Sequence, residues 1–391
     1  MSRLPSVTRA ASGAASAPAK VSQLGATIAA MLALSVAMGF GRFAFTGMYP
    51  IMVRDHLLTV DGGSWAASGN YAGYLLGALL ASRMPTARAA GIARIALVGT
   101  VLALLALALP MPTGAIIVIR LVAGVLSAFG LVAAAVWLFS HVGNHRGAPL
   151  LFAGVGVGIL VSAEIIAGGN VAGWSSPAMW IALSVAAAAF VLIAWPALGR
   201  AYPQTGDAAA HHAGIPGLIG PWALIAAYGL AGYGYIVTAT YLPLFIHDAL
   251  GHIDPIHVWA AFGLGAAPSC FAWHAAHERF GTRRALSVNL LLQAFGVLLP
   301  VLVPSSAGYL GSAVLVGATF VGTTTIALSA ARHVAHRVNF NLVAVLTAAY
   351  GIGQIAGPLA STALMSQSHS FTWPLVSAAG ALVGAIVFCF L

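Results

Sequence analysis

Apolar runs of about 20 residues recur from one end of the chain to the other. They lie near 24–52, 64–83, 91–110, 114–140, 148–169, 176–198, 218–246, 257–276, 285–303, 308–331, 341–365 and 371–391. Each is long enough to cross a hydrocarbon core of roughly 30 Å at about 1.5 Å of rise per residue. Only 6% of the residues are charged and the mean hydropathy is +0.96, where soluble domains carry about 25% charged residues. The expected fold class is therefore an all-α membrane protein with twelve transmembrane helices, and the lipid bilayer is its first partner.

A net charge of +9 would suit nucleic acid, but the positions of the cations exclude it. Thirteen of the sixteen Lys and Arg fall in segments that share one side of a membrane: Arg3, Arg9, Lys20, Arg83, Arg88, Arg94, Arg146, Arg200, Arg279, Arg283, Arg284, Arg332 and Arg337. The other side holds only Arg54. The excess of cations on cytoplasmic loops then predicts that both termini are cytoplasmic. Cys270 and Cys389 lie in apolar sequence and read as packing residues. Residues 1–23 are Ala- and Ser-rich with three cations and no acid, as in a disordered cytoplasmic tail, although organellar presequences share that composition.

Sliding the chain along itself by about 193 residues reveals a repeat. GFGRFAFTGMYPIMVRDHL from Gly39 aligns with GYGYIVTATYLPLFIHDAL from Gly232, and WAASG at Trp65 with WAAFG at Trp259. The register persists through Gly124 and Gly317, then through Gly156 and Gly351. A duplicated six-span unit is expected, with parallel repeats because the number of spans per unit is even. The expected organisation is a six-helix bundle over 24–198, a cytoplasmic linker over 199–217 and a second bundle over 218–391. Two facing halves that rock about a central cleft are transporter architecture.

The motifs G-F-G-R-F at Gly39, N-Y-A-G-Y-L-L-G-A at Asn70 and G-Y-G-Y-I-V-T-A-T-Y-L-P at Gly232 resemble those of the major facilitator superfamily, and more narrowly of its bacterial YbfB/YjiJ branch. The resemblance covers everything after the tail. It implies a monomer in a bacterial inner membrane, with spans one, four, seven and ten lining the cavity. It also implies a conformational latch in the loops after spans two and eight. HERFGTRR supplies Glu278, Arg279, Gly281 and Arg283 for that latch, whereas ASRMPTARA keeps Arg83 and Arg88 but lacks the acid and the glycine.

Three charges lie well inside the spans: Arg42, Arg120 and Glu164. A charge at the bilayer centre costs at least about 2.5–3.5 kcal/mol, so it faces a partner or a wet cavity and marks a pathway. Ser35, Arg42, Thr46 and Tyr49 fall on one face of a 3.6-residue helix. Tyr228, Tyr235 and Thr238 repeat that stripe, with Tyr235 in the place of Arg42, and Ser312, Thr319 and Thr323 repeat it again in span ten. Arg42 is thus expected in a water-reachable vestibule, binding an anionic or polar group of the substrate. Thr46, Tyr49, Asn70, Tyr74, Tyr235, Thr238, Thr323 and Gln354 are the other candidate substrate contacts. Arg120, in an R-x-x-x-G pattern similar to the family's fourth span, shares its estimated depth with Glu164. The expectation is that Glu164 carries the coupling proton, ionised beside Arg120 and protonated when the two part, or that the pair is a permanent structural one.

The glycine patterns at Gly39, Gly154 and Gly351 lack the strand, helix and downstream acid of a dinucleotide site. The longest internal soluble segment, about 19 residues, is too short for a nucleotide-hydrolysing domain. No metal site is expected from His211, His212, His333 and His336, and no paired acids or H-E-x-x-H suggest an enzyme. The reading is a secondary active transporter of a small organic solute, leaning toward an anion and driven by a proton gradient without any cofactor. A transporter-fold sensor or scaffold and a drug/proton antiporter are the alternatives.

Overall fold

The computed structural model describes residues 22–200, 217–245, 255–340 and 342–391. Nearly all of the expected tail and linker lies outside them, as do Asp207, His211, His212, Asp248 and Asp254. Among the described residues there is no strand. Twelve helices follow one another: α1 (Gln23–Arg54), α2 (Val60–Ala81), α3 (Ala89–Ala106), α4 (Thr113–Val136), α5 (Ala148–Val171) and α6 (Ser176–Leu198). After the segment outside the description come α7 (Pro221–Phe245), α8 (Pro255–Phe280), α9 (Thr282–Leu302), α10 (Ser306–Val334), α11 (Leu342–Ser368) and α12 (Thr372–Phe388).

Nine of these are long and apolar enough on their own to cross a membrane. The remaining three are α2, α8 and the 17-residue α12. Helix α2 carries Asn70, Tyr71 and Tyr74, all buried, and α8 carries His257, His274, His277 and Glu278. Their polar residues lower the average hydropathy, buried in α2 and partly exposed in α8, where the His257 and Glu278 side chains reach the surface.

Within the first six helices, α1 packs on α5 and α6, α2 on α4, and α3 on α4 and α6. Each pairing recurs six helices later, as α7 on α11 and α12, α8 on α10, and α9 on α10 and α12. The two sets meet along two seams, α2 with α11 and α5 with α8. Small residues set both kinds of approach. A Cβ on Gly39 of α1 would collide with the backbone of Gly158 in α5. At the seam, a Cβ on Gly263 of α8 would meet the Leu160 amide of α5 at 2.6 Å.

Helix α1 is interrupted. Ser35–Phe43 adopts the wider π-helical turn, with α-helix on either side. Such turns displace the backbone hydrogen-bond ladder and are frequent at functional sites. Two side chains of α4 serve its carbonyls: Ser127 Oγ donates to Ala37 O at 2.5 Å, and Arg120 donates from Nη1 to Gly41 O and from Nη2 to Arg42 O, each at 3.0 Å. The segment GFGRF is therefore a braced opening in the helix rather than a regular stretch of it.

Candidate functional site

Arg42 leaves this π segment toward the middle of the protein and is 3% exposed. Its guanidinium lies 4.2 Å from the centroid of the Tyr74 ring, with Tyr71 and Phe43 rings at 5.3 Å. Nη2 donates to Gln354 Oε1 of α11 at 2.6 Å. Gln354 Nε2 in turn donates to the Tyr235 hydroxyl of α7. The sequence repeat pairs Arg42 with Tyr235, and the structure joins the two through one amide. A second link between the two sets of six helices runs from the Tyr71 hydroxyl of α2 to Thr240 Oγ1 of α7 at 2.8 Å.

Among the described residues no carboxylate pairs with Arg42, and its Nε is buried without a partner. Two cavities adjoin the guanidinium. One, of about 40 Å³, is bounded by Tyr74, Tyr228, Tyr235, Phe320, Tyr350 and Gln354 among others. The other, of about 10 Å³, is bounded by Phe45, Thr46, Tyr49, Tyr71, Arg120 and Thr240 among others. Ligand sites for organic molecules are typically several hundred Å³. The expected water-reachable vestibule is thus closed in this conformation, and Arg42 sits in an occluded centre.

A stack of aromatic rings lines one side of that centre. Tyr228 stacks on Tyr350 (4.4 Å, 22°), Tyr350 on Tyr235 (5.4 Å, 15°) and Tyr235 on Phe320 (5.2 Å, 14°). The Tyr228 hydroxyl donates to Thr324 Oγ1 at 3.2 Å.

Arg42, Thr46, Tyr49, Tyr74, Tyr235 and Gln354 all border the two cavities. Tyr49 also donates to the Val60 carbonyl. Other expected residues fall elsewhere. Ser35 hydrogen-bonds to the Gly154 carbonyl of α5 at 2.8 Å, because the π turn between it and Arg42 breaks the 3.6-residue register. Asn70 donates to the Arg120 carbonyl at 2.9 Å and borders neither cavity. Thr238 is buried without a partner for its hydroxyl and also lies off them. Thr323 donates to Asn289 Oδ1 of α9 at 2.6 Å, and its neighbour Thr324 faces the cavity instead. Phe320 and Thr324, at i and i+4, mark the face of α10 that borders the cavity. Tyr350 was legible only as the aromatic preceding G-I-G.

The anticipated Arg120 to Glu164 pair does not form. Arg120 spends its guanidinium on the π-segment carbonyls and on the Phe45 ring at 4.4 Å. Glu164 has a half-exposed side chain, 3.9 Å from His257 Nδ1 of α8. The latch residues likewise make no ion pair between helices among the described residues. Glu278 faces His274 one turn back on its own helix at 3.3 Å. Arg279 lies over Phe280, and Arg283 over Phe390 of the chain's last turn, at 5.4 and 5.7 Å from the ring centroids. The side chains of Arg83 and Arg88 make no hydrogen bond or ion pair among the described residues. Gly281 adopts φ +82° between α8 and α9, a conformation in which any side chain is strained. No group of His, Cys, Asp and Glu suited to a metal occurs among the described residues.

No curated protein matches the chain. Residues 34–389 match the family described as uncharacterised MFS-type transporter YbfB. Twelve helices paired in two repeating sets, with a buried cation between them, agree with that match, and the chain belongs to this branch of the major facilitator superfamily of membrane transporters.

Proposed function

We propose that the protein is a secondary active transporter of a small organic anion, and that Arg42 is the residue that binds the anion. The observation that supports the reading most is a buried guanidinium with no carboxylate partner among the described residues, held by a neutral amide and tyrosine side chains. A cation so placed is costly unless an opposite charge reaches it during the working cycle. In this proposal residues 24–198 and 218–391 rock about the α2–α11 and α5–α8 seams, exposing Arg42 alternately to the two sides. Both termini are cytoplasmic, the membrane is the bacterial inner membrane and the transporting unit is a single chain. The latch loops regulate which side opens.

Proton coupling belongs to the same proposal. Glu164 and His257 face each other across the α5–α8 seam, so parting of the seam would separate an acid from its base. The test is counterflow of labelled carboxylates in proteoliposomes. Arg42→Gln is expected to lower the rate at least tenfold, and Glu164→Gln to remove the stimulation by a pH gradient. Full carboxylate flux in Arg42→Gln would sink the anion reading, and gradient dependence retained in Glu164→Gln would take the proton elsewhere.

A further inference from the structure

We infer that the solute is a carboxylate carrying a flat conjugated group, with its carboxylate on Arg42 and its plane against the ring stack of α7, α10 and α11. This rests on the transporter reading above and narrows it to a chemical class.

The first observation is the unfilled edge of the guanidinium. Nη2 and Nε form one side of the planar fork; Nη2 is held by a carboxamide oxygen at 2.6 Å, and Nε is buried with no partner. A carboxylate has the same planar shape as that carboxamide but offers two acceptor oxygens, which match both donors at once. Gln354 thus occupies one half of a bidentate site. When a carboxylate takes the place of its oxygen, the Gln354 Nε2, now donating to Tyr235, lies beside the incoming group and can donate to it.

The second observation is the sign of the charge. The charged side chains bordering the two cavities are Arg42 and Arg120, with no Asp or Glu among their lining residues. A lipophilic cation would meet repulsion there and no counter-charge.

The third is the composition of the wall opposite Arg42. Aromatic residues are only 9% of the chain, yet Tyr228, Tyr350, Tyr235 and Phe320 form a continuous stack with successive tilts of 22°, 15° and 14°. Across the centre, Tyr74 lies against the guanidinium. A saturated chain would be served equally well by the Leu and Val that fill the rest of the protein. Parallel rings favour a flat π-system that slips between or onto them in offset stacking. The stack belongs to the second set of six helices and Arg42 to the first, so such a solute would touch both when they close.

The test is ligand-induced thermal stabilisation of the purified full-length protein, titrated to millimolar concentration. The panel is benzoate, cinnamate, hexanoate, cyclohexanecarboxylate, benzamide and benzylamine. Benzoate or cinnamate is expected to bind about five- to tenfold tighter than the saturated acids, with no response to benzamide or benzylamine. Tyr350→Leu is expected to bring aromatic and saturated acids within about twofold of each other while the saturated acids still bind. Equal affinity for saturated and aromatic acids in the wild type would overturn this inference and leave the anion reading intact. Silence of every carboxylate, with or without a response to benzylamine, would overturn both. If Tyr350→Leu does not fold, the wild-type ranking alone decides.

Discussion

Arg42 and Gln354 are 312 residues apart in the chain and 2.6 Å apart in the protein. Replacing Gln354 by Glu turns a charge-to-amide hydrogen bond into a buried ion pair, while the Tyr235 hydroxyl switches from acceptor to donor. Gln354→Glu is expected to melt later, by about 1–3 kcal/mol of added stability, because it supplies the missing counter-charge from within. It should also weaken binding of any carboxylate at least tenfold, by competing for the same donors. A melting curve with and without ligand checks both, and undiminished ligand response would show that anions bind elsewhere. The sequence made Arg42 conspicuous, since a lone arginine in a long apolar run admits few explanations. It could not reveal Gln354 as its partner, because an amide in a membrane helix has many possible neighbours. Thr323 shows a finer limit: Thr323 and Thr324 differ by about 100° around α10, and only packing against Asn289 decides which one turns away from the centre.

At the scale of the element, hydropathy locates the helices well, because each must bury or expose about 20 residues to lipid whatever its neighbours are. The π turn of α1 was not legible. Its sequence, SVAMGFGRF, would serve equally in an ordinary helix, and the turn is held open by Ser127 and Arg120 from α4. The far end of α1 has its own anchor. Asp55 accepts from the Ser176 amide at 2.7 Å and hydroxyl at 2.5 Å, capping α6, and from Arg54 Nε at 2.8 Å. Partial burial pushes the Asp55 carboxyl upward, but those hydrogen bonds and the Arg54 charge outweigh it and hold the carboxyl below the usual range. A depressed value means that the anchor contributes stability above the ordinary carboxylate range and loses it as pH falls through the lowered value. Wild-type protein should therefore lose melting temperature on acidification below about pH 4. Asp55→Asn should melt earlier at neutral pH and show a shallower acid limb, and a limb identical to wild type would remove Asp55 from the linkage.

For the whole molecule, closure depends on how near α5 and α8 can come. Gly156→Leu inserts a branched side chain where even a Cβ would lie 2.7 Å from Ala267 Cα, so it should hold the α5–α8 seam apart. Thr46→Cys provides the reporter, since Thr46 borders the cavity beside Arg42, and the native Cys270 and Cys389 are buried. Thiol labelling at position 46 is expected to be slow in the closed protein and at least tenfold faster with Gly156→Leu added, with transport lost. Equal labelling rates would mean that this seam does not gate the centre. The repeat at about 193 residues anticipated the recurrence of helix pairings, because duplicated packing surfaces leave duplicated glycines. It could not anticipate that the centre would be closed, since alternate states of one chain share one sequence.

The uncompensated guanidinium also has an electrical consequence. With a monocarboxylate bound as proposed, the charge of Arg42 is cancelled, whereas in the unloaded centre it adds to that of Arg120. The empty carrier thus holds one more positive charge between the two water-facing sides than the loaded one. Membrane voltage then acts more strongly on the return of the empty carrier than on the step that carries cargo, the difference being up to about 2.3 kcal/mol per 100 mV for a charge that crosses the whole field.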